Sequence, residues 1–264
     1  EWGLCMQMIG RSAAHQGEYD RLTEISERFM ASAKQREALL EQAWCMSNRV
    51  ESILYTTNDL TEALELGERS LSLLENTNNP STESVVYSLK ALTLVRAGDF
   101  RSSLENATHA LGLIEGMQPT SFGLLIAYGS TSSTLLECWH GEGAPRKGEL
   151  TDQVESANKA LKALAKVFPI AEPRALINQG LYLWHTGGQS KAEKLWVKAL
   201  DRATELGMQY EIGAAHFEIG RHLSNESLST ALDRREHLNQ SMKVFENLGV
   251  SYDLKRAEKE MESD

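Results

Sequence analysis

The 264-residue chain sets 37 acidic against 27 basic side chains, a formal charge of −10, which argues against a surface built to neutralise nucleic-acid phosphates. Its length supports a core without disulfide or metal staples, and three scattered cysteines (Cys5, Cys45, Cys138) fit reduced thiols in a cytoplasmic protein. The longest apolar runs, such as LLIAY at 124–128, fall far short of the ~20 residues that span a bilayer.

Prolines number only 5, and most segments place apolar residues at i, i+3, i+4 and i+7, the helical period; no run alternates as a half-buried strand does. The chain is therefore read as all-α. It opens EWGLCMQMIG, with no initiator Met, basic leader or small-residue cleavage site, and is expected to be a piece of something larger. A first helix carrying Met6, Gly10 and Ala13 meets a turn at Gly17 and a second helix with Leu22, Ser26 and Phe29. A looser copy runs from Ser47, Val50 and Leu54 to Ala63, Gly67 and Ser70-Leu71. Tyr87, Ala91 and Leu94, then Gly98-Asp99, then Ser103, Ala107 and Ala110-Leu111 repeat the spacing. Next come Leu125, Tyr128-Gly129 and Ser132, paired with Ala157, Leu161 and Leu164 across an insertion, CWHGEGAPRKGEL at 138–150. That segment is predicted to be a mobile, protease-sensitive loop. Leu176, Gly180 and Leu183, a Gly187-Gly188 turn, and Ala192, Trp196 and Ala199-Leu200 form the fifth copy. The sixth pairs His216, Ile219-Gly220 and Leu223 with Leu238, Met242 and Phe245 across a loop near 224–230.

The copies begin near residues 3, 44, 84, 122, 173 and 213, at intervals of about 40 residues, with the fourth stretched by its insertion. This pattern resembles the tetratricopeptide repeat, whose units are ~34 residues long, so these have longer helices or links. The resemblance implies one domain over residues 1–264: a right-handed superhelical solenoid of about six helix-turn-helix repeats with a concave face.

Candidate chemistry is sparse. The stretch LWHTGGQSK (183–191) has the small residues and lysine of a phosphate loop but neither the GxxxxGK[ST] spacing nor a preceding strand, and it aligns with the Gly17 and Gly98 turns. Cys138-Trp139-His140 lacks further ligands at metal spacing and sits in a segment too loose to hold a dyad. His216 and His222, six residues apart, fall on different helix faces. The carboxylates of AEKEMESD (257–264) read as a solvated end. No catalytic residue, cofactor site or metal site is expected.

In repeats of this kind the first helix of each pair lines the concave wall. That carry-over places Gln7, Arg11 and His15, then Asn48, Arg49, Ser52 and Tyr55, then Val85, Leu89 and Leu92, then Arg174, Asn178, Leu181 and His185 in the groove. Of these, Arg11, Asn48, Arg49, Tyr55, Arg174, Asn178, Leu181 and His185 are the expected partner-binding set, with the three arginines solvent-facing and gripping carboxylates of a peptide or neighbouring domain.

A more particular pattern closes the chain: ELGMQYEIGAAHFEIGRHL (205–223), then DRREHLNQSMKVFENLGVSYDLKRAE (233–258). It resembles the closing repeats of multidomain signalling proteins, soluble adenylyl cyclases among them, that join a class III nucleotide cyclase or a Ser/Thr kinase to a STAND-type ATPase. The resemblance implies a non-catalytic protein-interaction and regulatory scaffold, whose partner is a protein or peptide, or the parent's own upstream ATPase or catalytic domain, with no nucleic acid and no membrane. The other expectation is a sensor domain that binds a small-molecule inducer within the superhelix.

Overall fold

The computed structural model describes residues 2–75, 77–141, 150–222 and 233–263. Thirteen α-helices make up the described chain, and no strand occurs among those residues. Twelve of them form hairpins: α1 (Trp2–Gln16) with α2 (Tyr19–Gln35), α3 (Leu39–Tyr55) with α4 (Leu60–Leu74), and α5 (Pro80–Arg96) with α6 (Phe100–Glu115). The series continues with α7 (Leu125–His140) and α8 (Thr151–Val167), α9 (Glu172–His185) and α10 (Gln189–Leu206), and α11 (Gln209–His222) and α12 (Arg234–Leu248). A thirteenth helix, α13 (Ser251–Glu262), follows. Successive hairpins stack on their neighbours, a helical solenoid of repeats as the spacing predicted.

Local chemistry explains where the helices stop. Hairpins one, three and five turn through a left-handed glycine, Gly17 (φ 80), Gly98 (φ 80) and Gly187 (φ 88). An L-residue pays for that conformation with a Cβ clash, and in the second hairpin Asn58 (φ 54) occupies it, as asparagine tolerates better than most. LWHTGGQSK is therefore a hairpin turn. Acceptor side chains then start the next helix: Asp59 caps the amides of Thr61 and Glu62, Asp99 that of Ser102, and Asp233 that of Glu236.

Small residues set the contact within each hairpin. Gly180 lies against the Trp196 indole, so near that a Cβ there would stand 2.7 Å from Trp196 Cδ1. Trp196 itself is fully buried and donates its indole N–H to the Ile177 carbonyl at 3.2 Å.

Two boundaries differ from expectation. The sequence puts the insertion at 138–150, but α7 continues to His140, with Cys138 and Trp139 buried in its last turn. The glycines that follow drew the predicted boundary back, whereas Trp139 holds the turn helical by stacking on Tyr182 at 5.6 Å. The predicted loop mobility falls mainly on residues 142–149, which lie outside the described residues, as does the predicted loop near 224–230. The carboxylates of the chain end, read as a solvated face, are exposed at Glu258 and Glu262, but they belong to an unpredicted helix, α13, that buries Asp253 and Ala257.

The array also closes. The last hairpin and α13 return to the first two hairpins: Ser251 Oγ donates to the Thr56 carbonyl at 2.7 Å across 195 residues of sequence. Leu248 packs where a Cβ on Gly17 would sit, and Tyr55 meets Tyr210 edge-on at 4.7 Å. One core cluster accordingly draws Tyr19, Val50, Leu89, Ile126, Phe217 and Phe245 from hairpins spread along the whole chain. The concave side is the bore of a ring, lined by the first helix of every pair and filled largely by the protein's own side chains.

Candidate functional site

The bore decides the fate of the predicted groove. Arg11 was expected to face solvent, yet it is 2% exposed, with Nη2 donating to Glu51 Oε1 at 2.9 Å and Nη1 to Asn48 Oδ1 at 3.2 Å. Asn48 is equally buried and passes its amide to Gln7 at 2.9 Å. Arg174 donates to Glu211 at 2.7 Å and lies over the Tyr210 ring at 5.0 Å. Its expected exposure is corrected in the same way, because the neighbouring hairpin supplies a carboxylate one repeat along. Tyr55 stacks on Tyr19 at 4.9 Å and is buried. Asn178 is buried and donates to Ser132 and Ser133 at 2.9 and 3.1 Å.

The remaining three diverge. Arg49 lies outside the bore, its guanidinium 3.2 Å from Thr23 and 3.6 Å from Glu62, between α2 and α4. It is the one predicted arginine with substantial exposure. His185 sits beyond the end of the bore, stacked on His140 at 3.6 Å. Leu181 is half-buried and faces a cavity. The structure thus brings Tyr55, Arg174, Asn178 and Leu181 to one cavity, puts Arg11 and Asn48 near the opposite mouth, and separates Arg49 and His185 from both.

That cavity, about 120 Å³, lies in the bore among α5, α7, α9 and α11, with α13 along its wall. Four guanidiniums line it: Arg96, Arg174, Arg221 and Arg256. Each is seated on an aromatic face, Arg96 over Tyr252 at 4.2 Å and Arg221 and Arg256 over Phe217 at 5.2 and 5.1 Å. Stacking of this kind fixes a planar cation while leaving its in-plane donors available. Three carboxylates share the wall: Glu137, Glu218 and Asp253. Asp253 lies 3.7 Å from Arg96 and 3.4 Å from Arg256, and Glu218 lies 2.9 Å from Arg221. Burial raises the Glu218 carboxyl above the usual range, opposed by the nearby Arg221 and Arg256 charges. Burial and then Asp253 hold the Tyr210 phenol well above its usual value, so it stays neutral.

The sequence reading misses Arg96, one turn beyond its last groove position Leu92 on α5, and misses Arg221, Arg256 and Asp253 because it has no groove positions in the sixth hairpin or beyond. A signal was present: Glu218 with Arg221 on α11 and Asp253 with Arg256 on α13 are i,i+3 pairs of opposite charge.

Other titratable groups are packed into the fold. Burial raises the Cys138 thiol, which contacts Ser103 Oγ at 3.7 Å. His216 pairs with His237 through their Nδ1 atoms at 2.8 Å, while His222 stacks on Trp196 at 4.8 Å. The two histidines sit in different places, as their spacing predicted. Among the described residues no three His, Cys, Asp or Glu side chains gather as a metal site requires, and no helix is long and apolar enough to cross a membrane. Neither a family model nor a curated protein matches the chain.

Proposed function

We propose that this chain is a non-catalytic, cytoplasmic docking and regulatory scaffold of the tetratricopeptide kind, and that it engages its protein partner at the α1 end of the array. The observation that supports this is an uncovered helix. Trp2 and Ile9 are 50% and 45% exposed on α1, with the exposed Cys5 between them at helical spacing and Leu4 (56%) on the adjoining face. In a stack of hairpins, such a surface is what an interior unit buries against its neighbour. Here the returning last hairpin meets α1 near its far end, where Leu248 packs at Gly17. The bore is a poor candidate for a peptide groove, because Arg11, Asn48, Tyr55 and Asn178 are already committed to partners within the chain. The ATPase or catalytic module of the signalling proteins that the C-terminal third resembles would be such a partner.

The test is a titration of the chain against the isolated ATPase module of such a protein, beside the triple variant Trp2→Ser, Leu4→Ser, Ile9→Ser. Loss of at least about tenfold in affinity with unchanged helicity supports docking at α1. An unchanged affinity overturns it.

A further inference from the structure

We propose that the cavity in the bore is a binding site for a small organic carboxylate, one with a single carboxylate group and a compact apolar body no larger than a benzene ring. This site is independent of the docking surface on α1.

The size comes first. A cavity of about 120 Å³ is comparable to the ~150 Å³ apolar cavity known to admit benzene, so it suits a body of that scale and no peptide. The wall has two characters. Leu92, Val95, Ile177, Leu181 and Phe217 give an apolar surface, and the four stacked arginines give cationic groups that spend some of their N–H donors on Leu54, Asn58, Asp253, Glu211 and Glu218.

Unspent hydrogen-bonding capacity decides the ligand's chemistry. Ser130 Oγ and Thr134 Oγ1 belong to side chains at most 2% exposed, both line the cavity, and neither has a protein partner. The Nε–H groups of Arg96 and Arg174 are likewise buried without an acceptor. These groups can all donate, and the two guanidinium nitrogens can only donate. A buried donor without an acceptor is costly, so an acceptor-rich group that reaches several of them at once is favoured. A carboxylate offers about four lone-pair directions on two oxygens and matches the guanidinium fork.

Charge agrees with this choice. Four arginines line the cavity against three carboxylates, with Glu211 standing beside Arg174 as a fourth outside the lining. The lining itself thus carries one more cation than anion, which suits one further anionic group. A dianion such as phosphate would exceed that allowance and has no apolar part to place against Leu181 and Phe217.

The wall is assembled from α5, α7, α9, α11 and α13, so a bound carboxylate would tie the returning C-terminal helix to the middle of the array. Binding would then be read as added stability of the whole ring.

The experiment uses the full chain with benzoate and butyrate as probes, benzamide as the neutral isostere of benzoate, and inorganic phosphate. Thermal shift and calorimetric titration are run on the native chain and on Thr134→Val. That substitution swaps an unpartnered buried hydroxyl for a methyl of nearly the same shape, so the fold is kept. The expected result is a concentration-dependent rise in melting midpoint with benzoate or butyrate, little or none with benzamide or phosphate, and an affinity about tenfold weaker in Thr134→Val. Ser130→Ala serves as the second variant, with the same expectation, should the first fail to fold. The assignment is overturned if no carboxylate shifts the midpoint at millimolar concentration, if benzamide equals benzoate, if phosphate alone binds, or if the variants bind carboxylate as tightly as the native chain.

Discussion

At Arg11 the guanidinium has two protein acceptors and almost no access to water. Removing it would leave Glu51 as a buried charge with its main partner gone, the situation in which one-sided loss of a buried pair costs about 3–5 kcal/mol. Arg11→Met is therefore expected to lower urea-denaturation stability by that amount, and Arg11→Met with Glu51→Leu to recover most of it. Equal losses in single and double variants would show that the pair is not what the site depends on. The sequence located Arg11 on the inner face correctly and misjudged what stood opposite. Register follows from periodicity, whereas burial depends on whether the array closes. A hint lay in spacing, since Glu51 follows Arg11 by 40 residues and Glu211 follows Arg174 by 37, each about one repeat along. Opposite charges one unit apart on inner-face helices are placed to pair.

Between helices, the α9–α10 contact shows what small residues do in this fold. Gly180 permits the approach that buries Trp196, and a larger side chain has to push the indole or separate the helices. Gly180→Leu is expected to cost about 3 kcal/mol, the upper end for overpacking, because the obstructing group is a rigid ring with its N–H bonded to Ile177. An unchanged thermal melt would sink this account of the hairpin. Six hairpins were legible from such small-residue positions and from turn glycines. The end of α7 and all of α13 were not. In α7 a glycine-rich stretch follows immediately and masks the buried Cys138-Trp139. In α13 the buried stripe is narrow, with Asp253 and Ala257 its only fully buried members, and the many exposed charges conceal it.

For the molecule as a whole, buried neutral histidines set the acid limit. Burial is the leading cause that pushes His15 and His222 down to about 3 and His216 down to about 4, from 6.5 when unfolded. With folded values depressed, the unfolded chain binds more protons as pH falls, so their stabilising contribution is complete above about 6.5 and is lost between there and 3–4. At pH 5 the loss is about 2 kcal/mol for each of His15 and His222. Glu218 runs the other way: its raised carboxyl favours the fold at low pH and withdraws that support as pH rises through its folded value. Melting midpoints are expected to fall steadily from pH 7 to pH 5, less steeply in His222→Phe, which keeps the stack on Trp196; a flat native profile would refute the assignment. Ring closure has a consequence for the folding pathway. In a linear array the terminal units fray, because each lacks one neighbour. Here the Ser251–Thr56 and Tyr55–Tyr210 contacts make each end the other's neighbour at its inner edge. Such contacts join residues roughly 150 to 200 positions apart, so their loop-closure entropy is repaid only after the intervening hairpins have stacked. Closure is the last event in folding and the first lost in unfolding, and it turns a chain of local contacts into one cooperative unit.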